Sequence, residues 1–251
     1  MNRQRLQKFS RKVHRAFAPL IGIQLFLWTL GGLYFSWVHL DNVHGDYERA
    51  ETVVADLLGA TGMVSVESLL ERSTLGRVED VRVGTMMDRT VIRLYRDMDR
   101  VETYDAFSGE LLSPISEAEA REIADDDFTP EAEIVAVQLV EEKGGEYKNA
   151  VPAYRVDFGN WKSTHVYVHA NTGLVTSRRN SIWRGFDFLW MLHIVDFQNR
   201  ENFNNWLLRI LSVFGMATVL SGYLLWILTT PLFRRGRRSK SVPSSTPVSG
   251  T

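Results

Sequence analysis

The sequence predicts an α+β domain held between two transmembrane helices. Three observations predict it. Two long runs, Ala16 to Leu40 and Ile210 to Phe233, contain no Asp, Glu, Lys or Arg. All 30 acidic residues lie between Asp41 and Glu201, whereas both ends of the chain are purely basic. Finally, two stretches of the middle look alike: VETYDAFSGELLSP at 101–114 and HVYVHANTGLVTSR at 165–178.

Each apolar run exceeds the ~20 residues that a helix needs to cross a hydrocarbon core of about 30 Å. Trp28, Tyr34, Trp37, Tyr223 and Trp226 suit the aromatic belts at the two interfaces. A cleavable signal peptide would have a shorter apolar core and a small-residue cleavage site, and the first run has neither. The first 38 residues carry six Lys/Arg, and the tail after Phe233 carries five. Basic flanks stay in the cytoplasm, so both termini are expected there and the acidic stretch outside. Residues 41–201 carry 17 basic against 30 acidic residues. The basic ends abut membrane spans, so lipid headgroups explain them better than nucleic acid does. Cysteine is absent, which excludes disulfides, thiol catalysis and thiolate metal sites.

The two similar stretches each read as strand, tight turn and short strand, with Gly109 and Gly173 where the turn needs a positive φ. Before the second copy, Ser116 with Glu119 makes a capping box that opens a helix. Residues 133–142 then alternate as a strand, Lys143-Gly144-Gly145 turns, and PAYRVDFGNW returns. Before the first copy, YERAETVVADLLGATG is helical by period, and strands follow near VEDVRVG and TVIRLYRD. Each unit is thus a helix followed by an antiparallel meander. The expected organisation is a basic N-terminus (1–15), a first span (16–38), and two units (39–114 and 115–180). A juxtamembrane helix and loop (181–205), a second span (206–233) and a basic, disordered tail (234–251) follow.

The Ser-x-x-Glu helix opening, VPAYRVDF and HANTGLV together resemble the PepSY domain. RKVHRAFAPLIGIQLFLWTLGGLYF, LWMLHIVDF and a later LSGYLLW are similar to PepSY-associated transmembrane proteins. The resemblance implies a tandem PepSY-like domain outside the bacterial cytoplasmic (inner) membrane, with residues of about 39–205 periplasmic. It further implies a non-catalytic binding or regulatory module. The alternative it carries is a haem- or metal-dependent redox component linked to iron uptake. The partners expected are the lipid bilayer and another membrane or envelope protein, or a second copy of the chain.

With no cysteine, histidines are the natural ligands for haem b or a transition metal. His14, His39, His44 and His193 are the candidates. His14 and His39 stand roughly 37 Å apart along one helix, so they cannot share an iron. His165 and His169 lie on one strand face about 13 Å apart and read as ordinary sheet residues. Asp125-Asp126-Asp127 lacks the spacing of a calcium loop. HExxH, GxSxG and P-loop motifs are absent.

FLWMLHIVDF (188–197) is apolar on nearly every side and too short to span. It reads as a helix that couples the domain to the membrane through Trp183, Trp190, His193 and Asp196. Trp190 is expected to be mostly buried, His193 to point toward the first span, and Asp196 to orient the His193 ring. Trp28 is expected to play no part in that contact. Gly32 with Ser36, Ala217 with Ser221, and Thr218 with Gly222 form small-residue faces suited to helix pairing.

Overall fold

A computed structural model describes residues 3–51 and 61–230. Its order is α1 (Arg3–Trp37), α2 (Leu40–His44), a 3-10 turn (Asp46–Glu48), α3 (Val66–Arg72), β1 (Asp80–Met86), β2 (Arg89–Tyr95) and β3 (Val101–Asp105). Then come α4 (Glu117–Asp127), β4 (Ile134–Val140), β5 (Ala153–Phe158), β6 (His165–His169), β7 (Val175–Arg179), α5 (Ser181–Ile194) and α6 (Trp206–Thr229). The chain divides into a mixed body, Tyr34–Phe188, and a helical body, Met1–Leu33 with Leu189–Thr251.

The second unit builds outward from its capping box. The Ser116 hydroxyl accepts from the Glu119 backbone N–H, and the Glu119 carboxylate accepts from the Ser116 backbone N–H. Two orphan donors of α4 are satisfied in this way. Ala120 and Ala124 then bury the helix on a four-stranded antiparallel sheet, order β4-β5-β6-β7. Phe128, Val156, Phe158, Val166 and Val168 complete the core between helix and sheet. The residue period of two in the strands places these side chains on one face.

The first unit repeats this plan with three strands, order β1-β2-β3. Three backbone bonds around its turn match those of the second unit. Val64 N–H donates to Ala106 O as Ile115 N–H donates to Ala170 O, both at 2.8 Å. Ala106 N–H reaches Thr90 O as Ala170 N–H reaches Pro152 O, both at 2.9 Å. Gly109 N–H closes its turn on Asp105 O as Gly173 N–H does on His169 O. The two glycines sit at φ 69° and 63°, where a side chain would be strained.

This equivalence makes α3 the counterpart of α4. Ser65 caps it through the Ser68 N–H, and Leu69, four residues on, is fully buried as Ala120 is. The helical period places the first unit's helix at YERAETVVADLLGATG, most of which lies outside the described residues. The short strand expected after Gly109 is only a single bridge, Tyr104 to Leu111.

Residues 39–51 belong with the second unit, although the sequence pattern assigns them to the first. Arg49 bridges Phe128, and Ala50 N–H donates to Asp127 O. The buried Glu48 carboxylate pairs with Lys162 Nζ at 2.5 Å. A carboxylate leaves water only for such a partner, so Glu48 fixes this strap on the second unit.

The two units share one core. Met86 and Val91 of the first pack among the second unit's buried residues. Arg93 is 3% exposed, and its Nε donates to Thr172 O at 2.9 Å while its terminal nitrogen donates to Thr85 O at 2.9 Å. Thr103 Oγ1 donates to Asn171 O at 2.6 Å, and Asn171 Nδ2 returns a bond to Asp99 O.

In the helical body, α1 starts at Arg3, so the basic N-terminus continues the helix without a break. Ser10 Oγ donates to Ser221 O at 2.7 Å, Phe17 stacks on Phe214 at 4.6 Å, and Thr218 and Ser221 are buried. The small face of α6 therefore meets α1 at Ser10 and His14. It does not meet Gly32, beside which a Cβ would find nothing within 4 Å. The apolar stretches of α1 and α6 are only 11% and 17% buried, unlike the core helix of a soluble protein.

Replacing Arg93 by alanine strips the donor from the Thr172 and Thr85 carbonyls. The unfolding free energy of the detergent-solubilised chain is expected to fall by about 3 kcal/mol. Thr103→Val, which loses one hydroxyl donor at nearly constant volume, is expected to cost about 1 kcal/mol. Urea midpoints at constant slope are the measurement.

Candidate functional site

The face of the second sheet opposite α4 carries charge. Register pairs Asp157 with His165 and Arg155 with Tyr167 across β5 and β6. Arg155 grips Asp157 with two bonds, Nε at 2.8 Å and a terminal nitrogen at 2.7 Å. The 141–152 loop folds over this face. Tyr147 stacks on Tyr167 at 4.4 Å and 9°, and its hydroxyl donates to Ala150 O at 2.6 Å. Burial, assisted by the Glu146 charge, pushes the Tyr167 phenol up to about 12.

Glu146 on that loop draws the cluster together. Its carboxylate accepts from Arg184 Nε at 2.5 Å and lies 3.0 Å from His165 Nδ1. His165 Nε2 lies 3.7 Å from Asp157, and its Nδ1 also lies 3.0 Å from an Arg184 nitrogen. The tautomer decides whether Nδ1 donates to the carboxylate or accepts from the guanidinium. Burial alone would raise the Glu146 carboxyl. Bonds from His165 and Arg184 overcome it and bring the carboxyl down to about 2. Arg184 also donates to Ser163 O at 2.8 Å.

Two carboxylates facing two guanidiniums make an ionic clamp that fastens the first turn of α5 to the sheet. Asn180, fully buried, caps that turn: its Oδ1 accepts from Trp183 N–H, and its Nδ2 donates to Asn42 O. The Arg179 guanidinium lies 4.3 Å over the Trp183 ring. No Ser, Thr or Tyr hydroxyl is bonded to His165 among the described residues, so the cluster lacks a base-activated nucleophile.

His169 is a core residue. It is 1% exposed, its Nδ1 lies 3.0 Å from Thr172 Oγ1, and burial lowers its pKa, which keeps the ring neutral. A cleft of about 500 Å3 opens beside the 169–173 turn, between Met86, Asp88, Ile123 and Arg178. The Arg178 guanidinium there is occupied by Asp127.

The four candidate ligands fall two to each body. In the helical body, His14 Nδ1 lies 3.1 Å from Thr218 O, and the His193 ring lies 5.6 Å from Trp28. His14 and Trp28 are fourteen residues apart on α1, roughly 21 Å along its axis. In the mixed body, His39 and His44 flank one short helix, exposed at 73% and 57%, beside Asp41 and Asp46. No group of three or more His, Asp or Glu converges as a metal site among the described residues. Within the helical body, His14 and His193 therefore lie at different levels of α1.

The coupling residues differ from expectation in three respects. Helix α5 stops at Ile194, with Val195 at φ 54°, so Phe197 is not on its face. Asp196 turns to the following loop and accepts backbone N–H bonds from Gln198, Asn199, Glu201 and Asn202. These bonds, Asn202's above all, hold its carboxyl below the ordinary range. Trp190 is half-buried, parallel to His193 at 6.1 Å and edge-on to Phe203 at 6.0 Å. Within the helical body, Trp28 Nε1 donates to His193 O at 2.8 Å. Gln24 Nε2 donates to Leu192 O at 3.2 Å one turn away.

Because the Glu146 carboxyl is depressed on folding, its contribution is complete above the ordinary value of 4.5 and is lost as pH falls toward about 2. Glu146→Gln is expected to be less stable than wild type at pH 7. The difference should shrink as pH falls through that window, in paired urea titrations.

Residues 114–179 match the PepSY family, described as the peptidase propeptide and YPEB domain. The match covers the second unit. No curated protein and no solved structure matches the chain. The matched segment begins beside the Ser116 capping box and ends at the last residue of β7, and it contains the whole helix-on-meander fold. Residues 114–179 are a PepSY domain, and the chain carries it between two helices long and apolar enough to cross a membrane.

Proposed function

We propose that this chain is a bacterial inner-membrane protein whose two spans display a non-catalytic, tandem PepSY-like domain on the extracytoplasmic side. There it binds and regulates another envelope protein. One observation carries the reading: a PepSY domain lies in sequence between two apolar helices whose surfaces are largely exposed. Exposed apolar surface of that extent needs lipid. The basic ends and the acidic middle favour cytoplasmic termini. The polar clusters of the domain support a non-catalytic role, because Glu146, Asp157 and Glu48 are all engaged by Arg or Lys.

In this reading α5 is the coupling element. Its first turns are held by Asn180, Glu146 and Tyr34, whose hydroxyl donates to Ile182 O at 3.0 Å. Its last turn is held by Gln24 and Trp28.

The absence of cysteine makes the topology directly testable. A single cysteine at Gly145 is expected to react with a membrane-impermeant maleimide in intact cells, and one at Ser239 only after lysis. The reverse pattern would overturn the topology. For the coupling role, Trp28→Phe keeps an aromatic side chain and removes the donor to His193 O. Proteolysis between Val195 and Asn205 is expected to quicken about threefold, as for loss of one buried hydrogen bond. An unchanged rate would remove Trp28 from the role.

A further inference from the structure

Strand β4 is an edge of the PepSY sheet, and nothing on it blunts that edge by charge or proline. IVAVQLV (134–140) contains no charged residue, no Pro and no Gly. Val135 is 65% exposed and Leu139 50%. Exposed apolar edges invite strand addition, and proteins ordinarily protect them with Lys or Pro.

The direction of the backbone groups follows from the ladder. Phe158 N–H donates to Thr164 O, and Ala170 N–H donates to Pro152 O, so the even residues of β5 bond to β6. Antiparallel pairing alternates, so the odd residues of β5 face β4. Gly159 N–H donating to Glu133 O agrees. With Arg155 opposite Gln138 and Ala153 opposite Val140, it is Val137 and Leu139 whose N–H and C=O groups face outward. No other backbone group meets them among the described residues.

The flanks specify the occupant. Glu131 and Glu133 precede the strand, and Glu141 and Glu142 follow it. All four are exposed, and none has an ion pair among the described residues. A second copy paired about Val137 would set Glu133 against Glu141 of its twin, which is repulsive. A segment with apolar side chains at alternate positions and Lys or Arg at both ends would cover Val135 and Leu139 and neutralise the carboxylates.

We infer that β4 is a docking edge for a basic-flanked, extended segment of another protein, which adds to the PepSY sheet as a fifth strand. This rests on reading the chain as a binding module, and it names the class of partner.

The test uses the full chain in detergent and three fluorescein-labelled synthetic peptides. These are KRVTVTVKR, its acidic counterpart EEVTVTVEE, and KRVTPTVKR with a central proline. KRVTVTVKR is expected to bind about tenfold or more tightly than EEVTVTVEE, the sum of several exposed charge pairs. The preference should weaken with salt. KRVTPTVKR is expected not to bind. Leu139→Pro, which removes an outward N–H and no bond to β5, should abolish binding while the urea midpoint changes little. The charge-reversed variant Glu133→Lys, Glu141→Lys, Glu142→Lys should prefer EEVTVTVEE. Equal binding of the basic and acidic peptides, no binding of any, or full binding to Leu139→Pro would overturn the proposal. So would a wild-type dimer that Leu139→Pro dissolves, which would make a second copy the occupant. Each of these results leaves the maleimide topology intact, so failure of the docking edge is distinguishable from failure of the membrane reading.

Discussion

The turn from His169 to Gly173 is the constraint on which the mixed body depends. Within five residues it exchanges bonds with the segment before α4, the segment before β5, β2 and β3. Ile115 N–H donates to Ala170 O and Ala170 N–H to Pro152 O, while Thr103 and Arg93 donate to Asn171 O and Thr172 O. The turn closes with Gly173 at φ 63° and its N–H donating to His169 O. A Cβ there would stand 2.4 Å from Met86 Sδ. The glycine thus serves the turn and the packing of the first unit on the second. A buried carbonyl without a donor is costly, so the turn and Arg93 require each other.

The same turn explains how the two units resemble each other and why they differ. Asp105 and His169 occupy equivalent positions, and each organises its own turn: Asp105 through the Phe107 and Ser108 N–H groups, His169 through Thr172. An exposed turn can use a carboxylate, whereas a buried one cannot hold an unpaired charge and takes a neutral ring. The first unit also ends in one bridge where the second has β7. Only the second unit carries the full four-stranded sheet, and the PepSY match falls on it.

Much of this was legible in the sequence because it rests on local chemistry. The Ser116–Glu119 box, the turn glycines, the strand alternation and the charge-free runs each act within a few residues. What was not legible depends on distant partners. Helix α3 spans seven residues, too short for a period to show, and it is held by Leu69 in a core formed with β2 and β3. The strap at 39–51 follows Glu48, whose partner Lys162 lies 114 residues on. The clamp joins Glu146, His165 and Arg184 from a loop, a strand and a helix. Its one local trace is the alternation of Arg155 and Asp157 on β5. The end of α5 at Ile194 escaped the periodic pattern because Val195 and Phe197 are as apolar as the helix before them.

The mixed body is two similar units joined in one core, with a PepSY domain as its better-formed half, and the proposed display by two spans builds on it. Native-state hydrogen exchange of the full chain, read by mass spectrometry, tests this most directly. The amides of β2 in the first unit and of β5 and β6 in the second are predicted to share one opening free energy and one denaturant dependence, because Arg93 and the 169–173 turn bind them into a single core. If β2 exchanged through a separate, lower-energy opening while β5 and β6 stayed protected, the units would be independent and the account would be contradicted.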